Sequence, residues 1–433
     1  MKPKISLEGM NTFFWVWLFQ LFSLFGSAMT RFALTIWAYE QTHQATTLAL
    51  MGFFNSGSYV LFSPLAGVIV DRYDRKRIII LSDLAAGLVT VWLLVFFLTG
   101  RLQIWHIYLA GVLSNGFDAF QEPAFGASVR LLVPEQQLVR ANSLLSLASD
   151  GSKILAPMLG GLLMVIVRAS GVMLIDIATC LAACGMLLFI RFPRLATRIE
   201  KHILNSRLWH EMGFGFRYIG RQPGLLSLLI IFTGINLFAA ITYFGVLPAM
   251  ILARSNGSET TLGAVQSMLG VGGVIGGVLL SVWGGPKKRV YGFLIATIAS
   301  FMLGDFLFAV SRSLPAWVVA AFFSAFFIPF ILSCFEAIWQ ARVPPEMQGR
   351  VFSAKNMIQV ASMPLGYLAS GFLADRVFEP AMANGGSLSN VFGWLVGTGP
   401  GAGMGLMFFC TCVFGVLVTT TGFFISSVRS LEE

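Results

Sequence analysis

The chain has 433 residues, of which 56% are hydrophobic and only 11% charged, with a net charge of +9 and a mean hydropathy of +0.79. A soluble protein of this length needs more polar surface than this composition supplies, and the positive charges lie in short bursts between apolar runs, which excludes a nucleic-acid-binding face. Stretches long enough to cross about 30 Å of hydrocarbon recur from end to end, so the composition is that of an integral membrane protein.

In chain order, MKPKISLEGMNTFFWVWLFQ sets basic residues before an apolar run. The run is too long for a removable signal peptide and lacks a small-residue cleavage site, so it reads as an uncleaved first span. The apolar runs predict twelve spans, at 12–38, 46–70, 78–99, 104–128, 142–167, 170–190, 223–252, 261–283, 290–312, 315–341, 353–378 and 402–426. With the N-terminus inside, the segments 1–11, 71–77, 129–141, 191–222, 284–289, 342–352 and 427–433 hold 21 of the 29 Lys and Arg residues. This positive-inside bias predicts a multi-pass protein of the bacterial inner membrane with both termini cytoplasmic.

The longest polar insertion, 191–222, follows the sixth span and includes a basic amphipathic stretch suited to an anionic membrane surface. It divides the chain into an N-terminal six-helix bundle (1–190), a cytoplasmic linker (191–222) and a C-terminal six-helix bundle (223–433). The halves share a fixed offset. GVIVDRYDRKR begins at Gly67 and GVLLSVWGGPKKR at Gly277, 210 residues later; VPEQQLVR ends at Arg140 and VPPEMQGR at Arg350, again 210 later. Two loop matches at one offset point to parallel six-helix repeats, an arrangement that forms a substrate site near the bilayer midplane.

Six charges in seven residues, Asp71 to Arg77, form the densest cluster of the chain. With Gly67 they make the pattern G-x-x-x-D-R-x-x-R-K-R between spans 2 and 3. Together with the twelve spans and the central basic loop, this pattern resembles the major facilitator superfamily. Gly67, Asp71, Arg72, Arg75 and Lys76 match the family motif, and Asp74 departs from it, standing where the family often has Gly. LVPEQQLVRANSLLSLASD at 132–150 and GTGPGAGMGLMF at 397–408 resemble the macrolide-efflux and siderophore-exporter branch of drug:proton antiporters. The resemblance implies an all-α integral membrane fold of twelve transmembrane helices in two pseudo-symmetric bundles. It also implies that Asp71 faces the positive N-terminal end of span 11, where a carboxylate is worth up to about 2 kcal/mol. The cluster is then a conformational latch; a plain positive-inside signal explains Arg75, Lys76 and Arg77 but not the paired aspartates.

Ionisable groups inside spans are costly and are functional candidates. Asp118 and Glu122 are four apart and share a helix face in span 4; Asp150 and Lys153 lie in span 5, and Glu336 in span 10. A proton-coupled exporter needs a buried carboxylate that takes up and releases a proton; Asp118 and Glu122 supply that chemistry, with Glu336 as a facing partner from the other half and Asp150 and Lys153 as further candidates. The competing reading is a static network in which Lys153 and Asp150 tie spans 4 and 5 together. Arg31 in span 1 is a candidate substrate contact; Asp176 and Asp305 are assigned to polar interhelical contacts or the outer surface, and Asp83 and Asp375 to helix ends near headgroups or water.

In span 5, APMLGG places Pro157, Gly160 and Gly161 together; the proline removes a helix hydrogen bond and the glycines permit close packing. It resembles the G-P-x-x-G-G core of the antiporter motif, with Ala156 in place of the first Gly. Among the aromatic residues, Phe22, Phe25, Phe238, Tyr243 and Phe326 are candidates to line a substrate cavity. GTGPGAGMG has neither the G-x-G-x-x-G spacing nor a Gly-Lys-Ser/Thr, so it reads as a turn into span 12 rather than a phosphate loop. The four histidines lack ligand spacing and the five cysteines sit in apolar runs, so no metal and no cofactor is expected. The expected partners are a small molecule, protons and the bilayer, for a monomeric, non-enzymatic exporter of a drug or siderophore-like compound. The alternatives are a lysolipid translocator of the same fold and a non-transporting membrane sensor.

Overall fold

The structure is a computed structural model and describes residues 10–133, 138–190, 207–344 and 347–432. All regular elements among them are helices. The first five are α1 (Met10–Thr42), α2 (Ala45–Arg72), α3 (Arg75–Leu98), α4 (Ile104–Leu132) and α5 (Leu138–Phe189). The long α5 is broken at Arg168, whose φ of 59° and ψ of 179° are not helical, so its two arms are the fifth and sixth spans. The amphipathic α6 (Arg207–Arg221) is followed by α7 (Pro223–Arg254), α8 (Glu259–Trp283), α9 (Arg289–Val310) and α10 (Leu314–Arg342). Then come α11, from Gln348 to Met382, and α12 (Ser389–Val396), α13 (Ala402–Phe424) and α14 (Ser426–Arg429). Each of the twelve expected spans thus falls on a helix, and nine helices among the described residues meet the length and apolarity needed to cross a bilayer.

The helices are inside-out relative to those of a soluble protein. On α3, Leu81, Leu88 and Val95 recur every seven residues and are exposed, while Ser82, Asp83 and Thr90 are buried. A soluble amphipathic helix buries the opposite face. Lipid is as apolar as leucine, so helices gain nothing by hiding leucine from it and associate through polar contacts and close packing.

The chain forms two compact units, the first comprising Met1–His43, Leu50–Ala196 and Gly257–Ser267, the second Gln44–Ala49, Thr197–Asn256 and Met268–Glu433. Helices α2 and α8 therefore each begin in one unit and continue in the other. The first unit packs α1 along α5, with Phe13, Trp17, Val129, Leu132 and Ala148 in one cluster and the Trp17 indole donating to the Leu144 carbonyl at 2.8 Å. The second has one large core in which Phe232 stacks on Phe335 at 4.2 Å, and Ile219 of α6 is buried in it.

The 210-residue offset returns in the packing. Gly161 and Gly371 are separated by that interval, and a side chain would be crowded at the first and would clash at the second. A Cβ at Gly161 would lie 3.1 Å from the carbonyl oxygen of Glu259, which opens α8; one at Gly371 would lie 2.6 Å from the Cα of Thr46 in the first turn of α2. Gly160, beside the first of these, faces Phe32 and Met29 of α1, and Pro157 presents its carbonyl to Gly263.

Part of the charged turn has a local explanation. Asp74, the residue that departs from the motif, caps α3 by accepting from the Arg77 amide at 3.2 Å. The Lys76 ammonium donates to the carbonyls of Ile190 at 2.5 Å and Leu188 at 3.4 Å, closing the end of α5. A cation there meets unpaired carbonyls and the negative end of the helix dipole. Lys76→Met is expected to lower thermal stability in detergent by about 1 kcal/mol, with Lys76→Arg close to the parent. A thermal melt followed by tryptophan fluorescence checks this, and equal melts for Met and Arg would refute the cap.

Candidate functional site

In the first unit, Arg31 of α1 meets Asp118 of α4, with Nη1 3.8 Å from Oδ2 and both side chains about two-fifths exposed, at 44% and 42%. The sequence had placed these residues in different roles, one toward substrate and one toward protons; the fold makes them a pair. Glu122, Asp150 and Lys153 lie on the helical backbones of α4 and α5, but their side chains fall outside the described residues, as do those of Asp71 and Arg72 in α2. Gly67 is within α2 and Arg75 and Lys76 open α3.

Beside that pair, Asp83 is buried, which corrects its assignment to headgroups or water. Its Oδ2 accepts from Gln20 of α1 at 2.7 Å and its Oδ1 from Gln121 of α4 at 2.9 Å, while Gln121 also donates to the Gln20 oxygen at 3.2 Å. The span predicted from 78 left Asp83 only about 8 Å along its axis, whereas α3 opens at Arg75 and carries Asp83 about 12 Å in. Asp176, on the second arm of α5, accepts from Ser27 at 2.9 Å and Thr90 at 3.0 Å, joining α1, α3 and α5.

In the second unit, Asp305 of α9 accepts from the Tyr243 hydroxyl at 2.6 Å and from Thr411 of α13 at 2.9 Å. Tyr243 also meets Phe308 and Phe408 edge-on, so this cavity candidate is engaged by an internal acid. Phe238 packs against the unit's core and Phe301, and Phe326 sits in a row with Phe322, Phe327 and Phe330. Phe22 is more than half exposed on α1 and Phe25 half-buried beside it.

Glu336 of α10 binds Lys355 of α11 at 2.5 Å. The ammonium is 1% exposed and lies 4.8, 5.4 and 5.8 Å from the rings of Phe352, Phe335 and Trp339. Three rings and one carboxylate thus replace water around a buried cation. Lys355 was no site candidate in the sequence, and Glu336, its partner, lies 19 positions away on another helix.

The glycine-rich stretch after α12 is a knot of helix ends. Gly397, Gly399 and Gly401 have φ of 87°, 97° and 81°, which side chains rarely tolerate. Arg254, from the end of α7, donates to the carbonyls of Ser311 at 2.7 Å, Val396 at 3.0 Å and Gly401 at 3.2 Å. Glu379 of α11 accepts from the amides of Met404 at 2.9 Å and Gly401 at 3.2 Å, capping α13. Asp375, one turn earlier, does not meet only headgroups or water: it accepts from the amides of Ala45 at 3.0 Å and Thr46 at 2.7 Å. Neither this knot nor Asp375's partner was legible without the fold. Among the described residues no cluster of His, Cys, Asp and Glu has the composition of a metal site.

Residues 16–367 match the family described as Major Facilitator Superfamily. Macrolide efflux protein A of Streptococcus pyogenes is 30% identical over 373 residues, covering 84% of this chain and 90% of that protein. The enterobactin exporter EntS of Salmonella typhimurium is 23% identical over 376 residues, covering 85% of this chain and 87% of that protein. Among solved structures, a bacterial homologue of the human lysosomal transporter Spinster aligns over 98% of both chains with a TM-score of 0.67 and 17% identity.

The Glu336–Lys355 pair makes an asymmetric prediction. Lys355 cannot reach water whereas Glu336 is 40% exposed, so the partner left behind decides the cost. Glu336→Gln strands a buried cation and is expected to cost about 3 kcal/mol or more, while Lys355→Met costs less because the remaining carboxylate can hydrate. Thermal melts of both single variants and the double, purified in detergent, measure this. The double variant is expected to be more stable than Glu336→Gln alone, and the reverse order would disprove a buried pair.

Proposed function

The chain belongs to the major facilitator superfamily, and on that premise we propose that it exports a bulky amphiphilic molecule by proton antiport and alternating access. That it is a multi-pass membrane protein and an efflux transporter of small molecules, rather than an enzyme, follows from the family and its relatives. The substrate class proposed is a macrolide-like drug or a siderophore-like metabolite, after the names of those two relatives. We place both termini in the cytoplasm from the distribution of Lys and Arg, treat 1–190 and 223–433 as the two bundles joined by 191–222, and take the working form as a monomer.

The observation that carries the coupling proposal is the Arg31–Asp118 pair. Of the described intramembrane acids, Asp83, Asp176 and Asp305 are buried and bonded to neutral donors, which suits static staples. Asp118 instead combines partial exposure with a cationic partner held at 3.8 Å, beyond ordinary hydrogen-bond distance. A proton on Asp118 removes the charge that holds Arg31, and a charged substrate can compete for either member. Proton uptake, substrate release and rearrangement of the pair then become linked events. Glu122 lies one turn away on α4 beside Pro123, and a second carboxylate so near makes simultaneous ionisation harder. The driving force is adequate, because each inward proton gains about 2.3 kcal/mol per 100 mV of membrane potential.

The test uses inverted vesicles energised by respiration and presented with macrolides, siderophores and lysolipids. Addition of a transported compound is expected to release protons from the lumen, and Asp118→Asn and Glu122→Gln are expected to abolish this at normal protein levels. Asp71→Asn is expected to slow uptake without abolishing insertion, as a latch requires. Proton release that survives both acid substitutions would overturn the coupling assignment, and lipid movement insensitive to uncoupler would favour a lipid translocator.

A further inference from the structure

Asp375 makes a contact that the transport reading above has not used. Its two carboxylate oxygens accept from the amides of Ala45 and Thr46, at 3.0 and 2.7 Å. These are the first two residues of α2, whose amides have no partner within their own helix. A carboxylate there gains from both the charged hydrogen bonds and the helix dipole. Gly371, one turn before Asp375, lets the two backbones approach, since a Cβ would lie 2.6 Å from the Thr46 Cα and 2.9 Å from the Ala49 Cβ.

The two sides of this contact are anchored differently. The end of α11 is tied within the second unit, because Glu379 caps α13 and Arg254 holds three carbonyls around the same knot. The first turn of α2, Gln44–Ala49, belongs to that unit as well, but from Leu50 the same helix belongs to the first unit. Any displacement of the first unit against the second therefore pulls on the amides that Asp375 holds. The contact is also releasable. It uses only main-chain donors of a terminal turn, which water can satisfy when they part, whereas parting Asp305 from Tyr243 and Thr411 would strand polar groups in a dry interior. Asp375 lies on the π-helical stretch Leu373–Phe378, a wider turn of the kind that often marks a functional position.

We propose that Asp375 is a positioning residue of the transport cycle: its carboxylate clasps the first turn of α2 in one conformational state and releases it in the other. Under the orientation proposed above the clasp is at the outer end of α11, opposite the Asp71 turn at the far end of α2. The inference rests on the alternating-access reading, but its test needs neither a known substrate nor proton coupling.

The reporter is a cysteine at Ala49, which is 1% exposed, introduced after replacement of the five native cysteines. A membrane-impermeant maleimide is applied to intact cells and the labelling rate of membrane-inserted protein is measured. Asp375→Asn is expected to raise that rate about tenfold, the scale of one charged cap, and Asp375→Glu to stay near the parent. Ala45→Pro removes one of the two donors without touching Asp375, at a first-turn position that suits proline, and is expected to raise the rate as well. A merely structural role would lower the amount of inserted protein without accelerating labelling. The Asp375→Asn rate decides: acceleration supports the clasp and a parental rate overturns it, whatever transport does. If that variant does not accumulate, the rate of Ala45→Pro decides in the same way.

Discussion

Hydrocarbon offers no hydrogen bonds, so a polar side chain carried into a span must find its partner on a neighbouring helix. This constraint organises the interior of both units. Asp83 draws α1 and α4 onto α3, Asp176 joins α1 and α3 to the second arm of α5, and Asp305 gathers α7 and α13 around α9. In a soluble protein the same helices would be held by burying leucine. Here many leucines, such as Leu81 and Leu88, lie on the outside, and the carboxylates, each costing several kcal/mol if left unsatisfied, specify which helices meet.

The chemical nature of each partner then separates holding from switching. An acid between neutral donors on two or three helices keeps its bonds as long as the helices stay packed, and breaking them exposes several orphans at once. An acid opposite a cation, with both side chains partly exposed, can exchange one partner for another at small cost. Arg31 with Asp118 has that character. Glu336 with Lys355 is intermediate, because the carboxylate is partly exposed while the ammonium is sealed among rings. The cost of separating that pair falls almost entirely on the lysine.

Much of the architecture was legible from the sequence because its determinants are local. Apolar runs of span length fix the helices, and even the break between the fifth and sixth spans falls at Arg168, where the backbone leaves the helix. The side-chain pairings were not legible, since they join residues far apart in the chain. Asp118 was weighed with Glu122 on its own helix and with Lys153 of the following span, whereas the structure pairs it with Arg31, brought in from α1. Asp375 near the end of its span was read as solvated because nothing local revealed that the start of α2 arrives there. The 210-residue repeat, by contrast, carried more than it was first asked to: it also relates Gly161 to Gly371, two positions where a helix admits another helix's first turn.

Among the described residues, three stretches of π-helix, at Ala240–Val246, Phe301–Asp305 and Leu373–Phe378, bring the remaining pieces together. They carry Tyr243, Asp305 and Asp375. A π turn inserts an extra residue into the helical ladder, which costs backbone hydrogen-bond quality and persists where something repays it. Tyr243 and Asp305 repay it directly, since each sits on such a turn and they bond to each other across α7 and α9. At Asp375 the repayment is the cap on α2. The first pair is sealed by Thr411, Phe308 and Phe408, while the second holds the two amides of a helix end, whose donors water can satisfy once they part. One backbone device thus serves a fixed joint in one place and a separable one in another, and what distinguishes them is whether the freed donors have anywhere else to go.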